Sequence, residues 1–438
     1  FETDSDSQFS LRFPALVLPE NTWLYRRKIT ISPRNPENFQ IKIVLPPDIP
    51  VLEYPSIRFF ENRGSGPLPY WIEKNEDRYM NIVWVRRLEN SDDEIWMYYG
   101  NPYVTSAENG DNVFLFFDDF GGGTGGQGAL NTRKWWATDT GIDVYETVLR
   151  ITDYGEPEDK DARRVEHGGG QHGMWENTIP RVIEVRVKPS QWWRGGLGLN
   201  GPGTFYREGT GQQYAMFFRD GGTYQFFSDE TWSGGNYQAD VYYIASVSLY
   251  DNNKIRARFY YGRDNENYRQ LAWQAPEKTR NWSYASDPNN YCDKYVLSAW
   301  DTGSDSSYYF DWFIVRKYSA VEPGTTVGPE QVSIKPSAPQ LLSPANGSST
   351  NDNTPTFMWV KGEYAENHRL LVDNDSDFSS PVINVYLGPL AEQYTPGSGI
   401  PDGLYYWKVV AINEAGSTPS DVWSFRVDTV PPAKPTHN

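Results

Sequence analysis

The stretch Phe39-Gln-Ile-Lys-Ile-Val-Leu45 sets apolar side chains at 39, 41, 43 and 45, with Gln40 and Lys42 between them. Successive side chains on a strand point to opposite faces, so a period of two marks a strand with one buried face. Pro46-Pro47 follows and ends the run, because proline has no N–H for the ladder. Similar runs lie on either side: Trp23-Leu-Tyr-Arg-Arg-Lys-Ile-Thr-Ile31, Ile57-Arg-Phe-Phe60, Tyr79-Met-Asn-Ile-Val-Trp-Val85 and Glu94-Ile-Trp-Met-Tyr-Tyr99. Turn signals separate them at Gly64-Ser-Gly66 and Gly100-Asn-Pro102. Short strands at close spacing predict a compact β-sandwich over residues 21–111.

The whole chain repeats this texture. Its 438 residues include 17 Trp, 30 Tyr, 21 Phe, 38 Gly and 31 Pro, and long amphipathic helical patterns are missing. Aromatics suit a pleated, half-buried surface, and Gly and Pro punctuate it. The prediction is an all-β chain of tandem β-sandwich domains, about three by length. Strand-like runs continue at Arg181–Val187, Tyr214–Phe218, Tyr243–Leu249, Ile255–Phe259 and Tyr309–Tyr318. Residues 323–338 are rich in Pro, Gly, Thr and Ser and read as a linker, bounded more narrowly at 331–338. Residues 1–20 read as an arm in which Phe9, Leu11 and Phe13 alternate with polar neighbours, and 431–438 as a tail.

Charge and composition exclude several functions. A formal net charge of −17, from 57 acidic against 40 basic residues, opposes nucleic-acid binding, which needs a positive footprint. Cys292 is the only cysteine, so no disulfide forms within the chain. No apolar stretch approaches the roughly 20 residues of a membrane span. The chain begins at Phe1 rather than Met, which suggests that a leader or longer anchor was removed. The expected location is extracellular, on the cell surface. Asn281, Asn346 and Asn374 each open a glycosylation triplet.

Trp23–Ile31, Ile57–Phe60 and Tyr98-Tyr-Gly-Asn-Pro102, running into Val113-Phe-Leu-Phe-Phe-Asp-Asp-Phe120, resemble a domain of unknown function numbered 2341 from archaeal and bacterial surface proteins. Residues 112–330 look like a concanavalin A-like (laminin G-type) jelly roll, closed by Tyr309–Tyr318. Residues 339–430 resemble a fibronectin type III-like module through Pro339–Gly347, Thr354–Trp359, Gly403–Gly416 and Trp423–Pro432. The resemblance implies a modular surface protein, and the module order carries more of it than any one motif.

Retaining glycosidases need two carboxylates about 5 Å apart. Glu184 stands alone with Arg186 two residues on, Asp311 is alone, and Asp229-Glu230 are adjacent and would face opposite sides of a strand. The expectation is therefore that the chain is not an enzyme. Gly196-Leu-Gly-Leu-Asn-Gly201 matches a dinucleotide fingerprint formally, but Pro202-Gly203 follows where a helix would begin, so it reads as a loop. His167 and His172 fall in a glycine-rich stretch without further zinc ligands and read as a loop too. The metal expected is calcium at Asp118 and Asp119, a position the jelly-roll resemblance implies, with Asp373-Asn-Asp-Ser-Asp377 a lesser cluster. Trp193 and Trp232, in glycine-flanked loops, are the candidate glycan-stacking residues.

Two functions follow. One is a structural or adhesive filament subunit, a homopolymer in which Phe9, Leu11 and Phe13 pair with a neighbouring copy as an added strand. The other is a monomeric adhesin that binds surface glycans from a stalk of repeats; a polysaccharide-active enzyme trails both because the carboxylate pair is missing.

Overall fold

The computed structural model describes residues 22–33, 38–61, 67–75, 78–87, 93–121, 127–128, 130–137, 141–145, 147–153, 163–168, 180–190, 194–200, 214–219, 221–227, 231–250, 254–263, 267–279, 294–300 and 306–431. These residues form three β-sandwiches, as the strand periodicity and composition predict.

The first is built from β1 (Tyr25–Ser32), β2 (Gln40–Val44), β3 (Arg58–Glu61), β4 (Tyr70–Asn75), β5 (Arg78–Arg86) and β6 (Glu94–Tyr99). One sheet runs β2-β5-β4, and the other contains β1, β6 and β3. Their inner faces close over Ile29, Ile41, Ile43, Phe59, Val83 and Met97, all at most 1% exposed. The alternation in Phe39–Leu45 thus does what it implies: Ile41 and Ile43 go in and Lys42 goes out.

The linker reading of residues 323–338 is corrected. Gly324–Val332 is a strand at the edge of the first sandwich, antiparallel to β1, with Tyr25 opposite Val332 and Ser32 opposite Gly324. Thr325, Thr326 and Val327 supply the β-branched run that such a strand prefers. Pro329 is tolerated because the strand lies at an edge, near a register shift between Arg27 and Ile29. The chain therefore leaves the first sandwich, builds the second and returns to complete the first.

The second sandwich pairs a ten-stranded sheet with a seven-stranded one. Arg181–Pro189 lies in the larger sheet between Tyr243–Leu249 and Ser306–Lys317. Between the sheets lies a core that includes Ile183, Val185, Leu197, Val247, Phe259 and Phe313. Here the glycine-rich match is corrected from loop to strand: Arg194–Asn200 pairs with Lys294–Trp300 and buries Leu197 and Leu199. Gly195 beside the match serves packing, since a Cβ there would stand 2.6 Å from the Tyr308 ring. His167 is likewise on a strand, Arg163–Gly168, and His172 lies outside the described residues.

The third sandwich sets Gln340–Ser343, Phe357–Val360 and Gln393–Tyr394 against a sheet centred on Gly403–Asn413, around Trp359, Trp407 and Phe425.

A further apolar cluster joins the first two sandwiches. Trp71 and Trp84, on the outer face of β4 and β5, meet Phe114, Phe117 and Trp312. Trp71 stands 5.8 Å from Trp312 and 5.1 Å from Phe117, both edge-on, an arrangement aromatic quadrupoles favour. The small sandwich thereby covers part of the outer face of the ten-stranded sheet.

Candidate functional site: a polar cleft on the large sheet

Strand alternation decides what that outer face carries. Along Arg181–Pro189, residues 183, 185 and 187 enter the sandwich core, which turns Val182, Glu184 and Arg186 outward. Isolated buried charges would be costly, so each acid there must be paired. Asp311 meets Arg186 at 2.5 Å, both buried. Glu184 lies 3.0 Å from Arg269 and 3.6 Å from Arg316. Burial alone would raise the Glu184 carboxyl, but Arg269 and Arg316 outweigh it and hold it at about 2. Arg269 also contacts Glu73 of β4 at 2.6 Å, and Glu73 accepts hydrogen bonds from Trp84 Nε1 and the Tyr268 hydroxyl. The Trp84 ring lies 5.5 Å from the Arg269 guanidinium and 5.1 Å from that of Arg316.

Where this charge chain leaves the covered zone, the sheet opens into a cleft of about 370 Å³. Arg316 forms one wall and pairs with Glu322 at 2.7 Å. Arg256 pairs with Glu277 at 3.0 Å. Arg258 donates to Ser248 Oγ at 3.4 Å and to the Tyr250 hydroxyl at 3.3 Å. The rings of Tyr250 and Tyr318 meet at 4.8 Å. Among the described residues, Nε of Arg256 and Nε of Arg316 are buried without a hydrogen-bond partner. Orphaned buried donors cost about 1–3 kcal/mol unless water or a ligand accepts from them. The cleft therefore mixes donors, acceptors and aromatic surface, the needs of a polyhydroxylated ring.

The residues singled out from sequence lie elsewhere. Asp118 is buried, with Oδ1 accepting from the Phe120 amide and Oδ2 from Trp135 Nε1, each at 2.8 Å. Asp119 Oδ1 accepts from the Gly121 amide at 3.3 Å. Both Asp118 oxygens are thus engaged in holding a turn and an indole. No three His, Cys, Asp or Glu side chains among the described residues are grouped to share a metal. In the 373–377 cluster, Asp373, Asp375 and Asp377 each accept from backbone amides two residues on, as turn-forming side chains do. Trp232 lies on a strand opposite Phe226, with its side chain outside the described residues; Trp193, Asn281, Phe9, Leu11 and Phe13 also lie outside them. Asn346 and Asn374 are exposed, and Asn346 Oδ1 accepts from the Ser424 amide at 2.9 Å. Sequence reading missed Arg256, Arg258, Tyr250 and Tyr318. The polar positions alternating along Lys254–Tyr261 were the available signal.

Residues 53–138 match the family described as Domain of unknown function (DUF2341). No curated protein matches the chain. Among solved structures, it is similar to an endo-acting O-glycanase from the human gut microbiota, at 11% identity and a TM-score of 0.34, over 47% of this chain and 100% of that one. An endo-β-1,4-glucuronan lyase from the fungus Trichoderma reesei is similar at 10% identity and a TM-score of 0.30, over 48% and 98%. Arcelin-5, a lectin-like defence protein from Phaseolus vulgaris, is similar at 8% and 0.29, over 44% and 96%. These likenesses are of fold alone. The expectation that the chain is not an enzyme is corrected: glycan-degrading enzymes stand beside a lectin-like protein among the solved structures it is similar to. No helix among the described residues is long and apolar enough to cross a membrane.

Proposed function

We propose that this protein interacts with carbohydrate outside the cell and holds a sugar residue in the cleft of the ten-stranded sheet. The observation that carries this reading is the convergence of Arg256, Arg258 and Arg316 with Glu277, Glu322 and the Tyr250–Tyr318 pair. Vicinal hydroxyls donate to carboxylates and accept from guanidinium groups at once, and the sugar's C–H face lies against an aromatic ring. The volume of about 370 Å³ is at the small end of ligand sites and suits one or two sugar rings.

A glycan panel against the whole chain tests it, followed by titration of any hit. Arg258→Gln and Glu277→Gln should each weaken the hit at least about tenfold, or about 1.4 kcal/mol, without moving the unfolding midpoint. A blank panel, or a hit that neither variant weakens, removes the cleft from consideration.

A further inference from the structure

A second surface, on the first sandwich, has a different chemistry. In β1, β3 and β6 the odd-numbered positions, such as Ile29, Phe59 and Met97, fill the core. The even-numbered ones face out. They bring Arg26, Lys28, Arg58, Phe60, Trp96 and Tyr98 onto one face, with Trp23 beside them. Trp23, Phe60 and Tyr98 contact one another edge-on, with centroids 5.4–6.4 Å apart. With Arg58 and Pro67 they line an open cleft of about 590 Å³.

Cations border these rings. The Arg58 guanidinium lies 6.0 Å from the centre of Trp23, and that of Arg26 lies 4.5 Å from the centre of Trp96. Lys28 pairs with Glu94 at 3.1 Å, the one carboxylate on the outward positions of these three strands. Arg26 donates to the neutral Gln331, and Arg58 to the carbonyls of Ile57 and Thr105. Neither has a carboxylate partner among the described residues. In a chain of formal net charge −17, this face is cationic and aromatic together.

We infer that this face binds an anionic saccharide, a pyranose bearing a carboxylate or sulfate. The ring's C–H face lies in the cleft of Trp23, Phe60 and Tyr98, and the anionic substituent meets Arg58 or Arg26. Aromatic surface alone would take any sugar. The unpaired guanidinium charge selects the anionic one, and it separates this surface from the charge-balanced cleft of the large sheet. The inference stands independently of that cleft.

The test is calorimetric titration of the whole chain with an oligogalacturonide and with its methyl ester, which keeps the ring and loses the charge. The expected result is binding of the free acid at least about tenfold tighter than the ester, weakening as salt screens the contact. Arg26→Gln and Trp23→Ala should each reduce it severalfold. Arg26 is partly exposed and lies outside the core, so its variant keeps the test valid if Trp23→Ala fails to fold. Equal affinity for acid and ester overturns the anionic assignment. Binding that survives both variants but is lost in Arg258→Gln assigns the ligand to the other cleft and overturns this site. Binding to phosphatidylserine vesicles without binding to the oligogalacturonide or to a sulfated oligosaccharide also overturns it.

Discussion

Arg269 Nη2 stands 2.6 Å from Glu73 Oε1, so a guanidinium beside the large sheet grips a carboxylate from β4 of the first sandwich. Glu73 is buried and Arg269 nearly so, and Arg269 reaches Glu184 as well. Arg269→Met would leave two carboxylates facing each other without their shared cation. Breaking a buried pair from one side costs about 3–5 kcal/mol, far more than the pair itself contributes over an apolar substitute. Chemical denaturation should show that loss, and Glu73→Gln in the same chain should restore part of it. A loss under about 1 kcal/mol would mean the two sandwiches are held by the tryptophan cluster alone.

The same network predicts an acid response. Glu184 is held at about 2, below its ordinary 4.5. A carboxylate depressed in the folded state contributes stability that is fully present above about pH 4.5 and is lost as pH falls through about 2. The size is roughly 3 kcal/mol. Glu184→Gln should flatten the fall in stability across that window, measured as denaturant midpoints at successive pH values. An unchanged slope would place the acid sensitivity elsewhere.

Much of the architecture is readable locally, and the exceptions share a cause. Ile41 and Ile43, or Ile183 and Val185, announce buried strand faces because the signal sits within a few residues. Gly324–Val332 was hidden because its meaning depends on β1, about three hundred residues earlier. The ion pair of Glu184 was hidden for the same reason: Arg269 is 85 residues away in sequence. Trp23 lies just ahead of β1, and only folding sets Phe60 and Tyr98 beside it. Composition correctly marked the chain as aromatic-rich without telling which rings stay accessible.

Gly195 tests the packing between the two large sheets. A Cβ there would stand 2.6 Å from the Tyr308 ring and 2.7 Å from the Ser298 carbonyl oxygen. The oxygen belongs to a paired central strand and cannot withdraw cheaply. Gly195→Ala should therefore destabilise by about 1–3 kcal/mol, the usual cost of overpacking a filled core. Gly388→Ala, with nothing within 4 Å of the added atom, should change the midpoint little. Similar effects from both substitutions would show that the sheets separate easily at this point.

Asp118 decides whether calcium belongs to the large sandwich. Its two oxygens accept from the Phe120 amide and from Trp135 Nε1, and Trp135 packs edge-on against Phe313 of the core at 5.3 Å. The carboxylate thus anchors an indole from inside. Asp118→Asn turns one acceptor into a donor facing an N–H, and should cost about 1–3 kcal/mol with a change in tryptophan emission. A chelator should leave the unfolding temperature of the parent protein where it is. A chelator-induced drop that Asp118→Asn abolishes would instead mean that the carboxylate's remaining lone pairs hold an ion, and that the turn and the metal share one side chain.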